Sequence, residues 1–190
     1  MPRQTDTRDR LLHAASAVVR DDGAGALTLD AVAEAAGVSK GGLLYHFPTK
    51  DALHEALLDR LLDGTDRDVA ALADAEAEGG ARSEEGRFTR AFVRSSFDPG
   101  DAAAFGPAFI AAVAARPDLI DAARARYAEW QRRVEADGID PARATAARLA
   151  ADGLFFADLL GLAVPTGGLR GDVLRVLLQL CTPVGSNEDN

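Results

Sequence analysis

Ser39, Lys40, Tyr45 and His46 fall within eight consecutive residues, Thr49 and Lys50 follow closely, and Thr28 stands eleven positions ahead. Their hydroxyls, ammonium groups, phenol and imidazole are suited to phosphate oxygens or to the edges of bases. The chain has 21 basic residues, yet only Lys40 and Lys50 are lysines, and both lie in this stretch. Elsewhere the positive charge is Arg, a bias that fits a GC-rich genome. Two lysines kept in one short motif point to a specific use for a compact ammonium.

These side chains need elements to carry them, and the neighbouring residues supply the punctuation. Thr28 predicts the N-cap of a second helix whose core face is Leu29, Val32, Ala33 and Ala36. Gly37 makes the turn, and Ser39 caps a third helix. Pro48-Thr49 breaks the chain, with Thr49 capping a long fourth helix over about 50–77. Ala33 is small enough for a close helix crossing, Gly37 tolerates positive φ, and Leu43 and Leu44 can pin the third helix to a core. That spacing is the pattern of a helix-turn-helix with a docked recognition helix.

Gly41 and Gly42 are unusual inside a short helix, since each weakens it by roughly 1 kcal/mol relative to Ala. They mark either a poorly formed helix or clearance that lets the backbone approach DNA, and the second reading is preferred. Ser39 and Lys40 sit at the helix N-terminus, where free amides and the dipole favour phosphate. Base reading is assigned to Lys40 and Ser39, with Gly41 and Gly42 acting by apolar or backbone approach. Tyr45 is either a phosphate contact or a core aromatic, a role Phe47 fills more naturally. Thr28, His46, Thr49 and Lys50 complete the expected DNA-binding set. No Cys or carboxylate stands at ligand spacing from His46, so no metal site is expected.

The rest of the chain reads as helix throughout. Helices are expected over about 7–21, 84–97, 101–115 (with a break at Gly106-Pro107), from Pro117 towards Gly138, from Pro141 to Leu160 with Asp140 as its N-cap, and over 169–181. Breaks fall at 78–83 and 98–100, and a disordered tail is expected over 183–190. The composition, rich in Ala, Leu, Arg, Asp and Glu, points to an all-α protein. No apolar run approaches the ~20 residues that span a bilayer, and no signal peptide is expected. The single cysteine, Cys181, rules out an internal disulfide, fits a reducing cytosol, and reads as a small buried hydrophobe.

The net charge of −9 is unpromising for a DNA binder until it is divided. Residues 1–50 hold six basic and six acidic side chains, so residues 51–190 carry the whole excess. An acidic body repels DNA and leaves the neutral head as the contact surface. Enzyme readings fail: His54-Glu55 lacks the second His of a zinc protease helix, and no G-x-S-x-G, P-loop or dinucleotide fingerprint is present. No cofactor or catalytic residue is expected.

The stretch Gly37-Val-Ser-Lys-Gly-Gly-Leu-Leu-Tyr-His-Phe-Pro-Thr-Lys-Asp-Ala-Leu53 strongly resembles the recognition helix and start of helix four in the TetR family of bacterial transcriptional regulators. The resemblance covers about residues 8–55, and Asp152 to Gly161 is similar to a C-terminal segment of some TetR-like proteins. It implies a nine-helix homodimer with a helix-turn-helix head (1–48) and a helical ligand-binding and dimerisation body (49–182). Helices eight and nine would pair with their copies, and two heads about 34–36 Å apart would read a palindromic operator in double-stranded DNA. The resemblance also implies that a small effector in the body moves helix four and releases DNA, which makes a repressor the first expectation and an activator the second.

In the body, Phe88, Phe92, Phe109, Trp130 and Phe155 are the candidate lining of an apolar effector pocket, although aromatics at helical spacing commonly form plain core. The effector is then expected to be largely apolar. Glu129 or Asp152 would orient a cationic ligand only if buried, and solvated positions are the simpler expectation. The apolar circumference of the ninth helix implies a partner surface, with Phe156, Leu160, Leu174, Leu177 and Leu178 as candidate dimer contacts. A protein-interaction adaptor that retains the helix-turn-helix without effector control is the alternative, and Lys40 and Lys50 argue against it. A cytoplasmic, membrane-free regulator is expected.

Overall fold

Helix-favouring Ala, Leu, Arg and Glu, interrupted by Gly, Pro and hydroxyl caps, give a chain of helices with short connections. The computed structural model describes residues 4–80, 83–98, 100 and 102–183. Among these residues there are nine α-helices and no strand. They are α1 Gln4–Asp22, α2 Leu29–Ala35, α3 Lys40–His46, α4 Lys50–Glu78, α5 Arg87–Phe97, α6 Gly106–Ala115, α7 Ile120–Glu135, α8 Pro141–Leu159 and α9 Gly167–Leu180. The tail expected over 183–190 lies outside the described residues from 184 onward. So do Ala81 and Arg82 of the expected 78–83 break, and Pro99 of the expected stop at 98–100.

Several boundaries move for identifiable reasons. Gly86 sits at φ 76, a left-handed conformation, so α5 starts at Arg87 rather than at 84. Gly106-Pro107 opens α6 instead of breaking it, because Pro in the first turn loses no intrahelical bond. A 3-10 turn over Ala102–Phe105 precedes it, and another over Pro117–Leu119 precedes α7. Asp140 caps α8 as expected, its side chain accepting from the Arg143 amide at 2.9 Å with Pro141 in the first turn.

The helices form two compact units that are not consecutive in sequence: Met1–Gly64 with Asp101–Arg124, and Thr65–Gly100 with Ala125–Asn190. The first unit has a core of Leu11, Leu12 and Ala15 from α1, Val32 and Ala33 from α2, Leu43 from α3, Phe47, and Leu53, Leu57 and Leu58 from α4. Arg10 donates to the Ala36 carbonyl at 2.9 Å, tying α1 to the end of α2. Arg8 lies over the Phe47 ring, 5.3 Å from its centroid. α6 packs on α1 in the same unit, where the Ser16 hydroxyl donates to the Ala104 carbonyl.

In the second unit α5 packs against α8 and α9, and three residues organise its start. Gly86 has no side chain to cap α5. Asp137 does it from the far end of α7, accepting from the Phe88 amide (3.2 Å), the Thr89 amide (2.8 Å) and the Thr89 hydroxyl (2.7 Å). Arg90, 1% exposed, pairs with Glu76 and donates to the carbonyls of Ser83, Glu85 and Cys181. A buried guanidinium needs this many acceptors to offset its desolvation. Cys181 is fully buried, and burial pushes its thiol up to about 12, so it behaves as a small hydrophobe.

Candidate nucleic-acid interface

The turn between α2 and α3 is set by two backbone bonds. The Gly37 amide donates to Glu34 and the Val38 amide to Ala33, both at 3.0 Å, with Gly37 at φ 64. This is a Schellman C-cap, which needs a left-handed residue at the Gly37 position. Thr28 caps α2 through the Ala31 amide at 3.1 Å, and Ser39 caps α3 through the Gly42 amide at 3.1 Å. Thr49 caps α4 through the Ala52 amide at 3.1 Å. Leu43, with no exposed area, anchors α3 to the core. The helix-turn-helix therefore stands on local caps and on the buried side chains of Val32, Ala33 and Leu43.

That anchoring turns the polar face outward. Thr28, Ser39, Lys40, Gly41, Thr49 and Lys50 are exposed, and Gly42 and His46 are half-buried. Tyr45 is 70% exposed while Phe47 is 2% exposed, so Phe47 is the core aromatic and Tyr45 stands at the surface. Tyr45 and His46 form an edge-on pair with centroids 5.2 Å apart. At Gly41 and Gly42 a Cβ would meet only the Ser39 and Val38 side chains, at 3.4 Å or more. The protein's own packing thus does not require glycine at either position.

Asp30, which the sequence reading passed over, faces Lys40. The Lys40 ammonium lies 2.9 Å from Asp30 Oδ1 and 3.0 Å from Oδ2, with both side chains well exposed. The only sequence signal for it is an acid in the first turn of α2, where the dipole favours negative charge. Behind the interface, His54 is 3% exposed and its Nδ1 is buried with no hydrogen-bond partner among the described residues. Burial lowers its pKa, Lys50 and Arg116 lower it further, and Asp51 acts in the opposite sense. The imidazole is held neutral.

The candidate effector residues divide between the units. Phe88, Phe92 and Trp130 form one packed cluster in the second unit, with centroids 6.2 and 5.4 Å apart along the series. Phe155 is half-buried and packs edge-on against Phe156 at 5.6 Å. Phe109 belongs to the first unit. Glu129 is exposed and paired with Arg132. Asp152 is half-buried and bonded to Arg148 at 2.5 Å, with burial pushing its carboxyl up to about 6 against the pull of that arginine.

Of the candidate dimer contacts, Leu160 is 55% exposed, Phe156 is half-buried, and Leu177 is only 8% exposed, already covered within its own chain. Leu174 and Leu178 are half-buried and line two clefts of the second unit. Leu149, Leu169 and Val176, at 55%, 62% and 56%, are the further large apolar side chains exposed on α8 and α9. Among the described residues no cluster of His, Cys, Asp or Glu is placed to hold a metal ion. Among the described residues no helix is long and apolar enough to cross a membrane.

Residues 11–57 match the family model described as bacterial regulatory proteins, tetR family. Residues 86–182 match the one described as tetracyclin repressor-like, C-terminal domain. The HTH-type transcriptional regulator RutR of Escherichia coli K12 is 57% identical over 35 residues, 18% of this chain. The chain spans only 16% of that curated relative's length. A solved TetR-family member from Streptomyces coelicolor A3 shares 30% identity, covering 94% of this chain and 99% of that one, with a TM-score of 0.64. The multidrug binding protein EbrR, solved with malachite green, shares 30% identity over 93% and 98% of the two chains, with a TM-score of 0.59.

Proposed function

The chain belongs to the tetR family of bacterial regulatory proteins, transcriptional regulators with an N-terminal DNA-binding domain, and from that premise we propose that it is a homodimeric repressor released from a palindromic operator by a small-molecule effector. Residues 1–48 form the DNA-binding head and 49–182 the effector-binding and dimerisation body, in the bacterial cytoplasm. One observation carries the DNA-binding reading: the capped, leucine-anchored α3 presents Ser39, Lys40 and a glycine pair that its own packing does not require. Thr28, Tyr45, His46, Thr49 and Lys50 supply phosphate contacts around it, and such contacts set register while Lys40 reads a base edge.

The aromatic cluster of Phe88, Phe92 and Trp130, with Phe155 in the same unit, is the proposed effector region. Support comes from its burial and apolar character, and from a relative that binds malachite green. Effector binding shifts a two-state equilibrium by its differential affinity for the two states, with α4 as the element shared by both units.

Selection of bound sequences from a random duplex library tests the reading. The expected result is a palindrome whose half-sites lie about one helical turn apart. A protein unfolded and refolded free of ligand that still enriches no sequence at low salt would overturn it.

A further inference from the structure

The second unit holds an open cleft of about 420 Å³ that the DNA-binding reading leaves unused. Its apolar wall is Leu72 of α4, Phe97 of α5 and Leu174 of α9, and two guanidiniums, Arg94 and Arg170, line it. Arg170 is already engaged: it stacks over Phe97 at 5.3 Å and pairs with Asp158 at 2.7 Å. Arg94 differs. Its Nε is buried, and it has no hydrogen-bond partner among the described residues. A guanidinium stays charged at any pH the protein meets, and a buried donor without an acceptor is costly. The cleft therefore presents a guanidinium with a buried donor that no acceptor among the described residues satisfies.

Two further features suit the same place to a negative head group. The cleft reaches the start of α9 at Gly167, and the α9 N-cap Thr166 makes no side-chain bond to the first-turn amides. That helix is 14 residues long, so its N-terminus carries a full dipole end. Gly167 and Gly171 leave open space where a Cβ would project, so the volume exists because side chains are absent. Two carboxylates bound the charge the site accepts. Asp98 stands exposed in the lining and Asp158 holds Arg170. One guanidinium with an unsatisfied donor, set among these carboxylates, favours a monoanion over a phosphate dianion.

We propose that this cleft binds a small amphipathic carboxylate, its head group on Arg94 and its apolar body against Leu72, Phe97 and Leu174. The site is distinct from the aromatic cluster, and its occupancy does not depend on DNA binding.

Calorimetric titration of the full chain with octanoate, octanol and octyltrimethylammonium tests this without any DNA present. Octanoate should bind one per chain, more tightly than octanol by about tenfold or more, and the cation should not bind. Arg94→Gln should weaken octanoate by about tenfold while leaving octanol unchanged. Gly171→Leu, a helix-favouring change that fills the cleft, should abolish both. Thermal unfolding of each variant near the parent's midpoint shows that the loss is not unfolding. Equal binding of octanoate and octanol, undetectable octanoate binding, or an unchanged affinity in folded Arg94→Gln would overturn the proposal.

Discussion

At the scale of single residues, the two lysines make separable predictions. Lys40 stands on the recognition helix, so Lys40→Ala should cost about 1–3 kcal/mol on the preferred operator and relax discrimination at one base. Lys50 starts α4 and is exposed; on the proposed reading it contacts phosphate, so Lys50→Ala should weaken all sequences alike and lower the salt slope by about one unit. Gel-shift titrations at several salt concentrations distinguish the two, and parental affinity in both variants would sink the assignment. Asp30 adds a condition that the sequence reading did not contain. On the proposed reading Lys40 leaves an exposed ion pair, worth about 0.2–1 kcal/mol, when it engages DNA. Asp30→Asn should therefore tighten binding severalfold, most of all at low salt. Weaker binding in that variant would mean that Asp30 aims Lys40 rather than competing for it. Ser39, Gly37 and Leu43 were legible in the sequence because caps and turns are local chemistry. The Asp30–Lys40 pair was not, because its geometry depends on how α2 and α3 cross.

At the scale of elements, the same division between local and distant causes decides what could be foreseen. The caps at Thr28, Ser39, Thr49 and Asp140 fell where the sequence placed them. The start of α5 did not, because its cap is a carboxylate 48 residues away and its left-handed glycine is fixed by distant neighbours. A Cβ on Gly86 would lie 2.3 Å from the Cys181 carbonyl and 2.9 Å from Arg90 Nη1, at φ 76. Gly86→Ala should accordingly destabilise the protein by about 1–3 kcal/mol in urea unfolding, and a neutral result would refute this account of α5. In α4, His54 makes stability depend on pH. Its folded pKa lies below 6.5, so the unfolded chain binds the proton more readily. The stability conferred by the neutral imidazole is intact above pH 6.5 and is lost as pH falls from there toward the lowered folded value. His54→Leu should flatten the unfolding profile over that window, and an unchanged slope would exclude His54 as its source.

For the whole molecule, the division of charge and the exposed apolar side chains lead to one argument. The chain carries −9 overall while residues 1–50 are neutral, so on the proposed reading one head neutralises few phosphates and should bind DNA weakly alone. On the proposed dimeric reading, specific affinity comes from two heads on one operator, and the chain supplies a surface that joins two copies. Leu149 and Leu160 lie at α8 and its end, and Leu169 and Val176 lie on α9, all more than half exposed. Leu177, which the sequence suggested for that surface, is spent inside the chain, because an apolar helix circumference does not reveal which side its own neighbours take. A stable interface buries roughly 1,200–2,000 Å² in total, and a lone charge at its centre is poorly tolerated. Val176→Glu changes one exposed side chain without touching the covered core, so the single chain should remain folded. Light scattering should then show a monomer where the parent, on the proposed reading, is a dimer. Operator affinity should fall by about a hundredfold and the salt slope by about half, since only one head's phosphate contacts remain. A Val176→Glu protein that stays dimeric would place the joining surface elsewhere. A monomer that keeps parental operator affinity would instead show that one head suffices, and that the neutral charge of residues 1–50 does not limit binding.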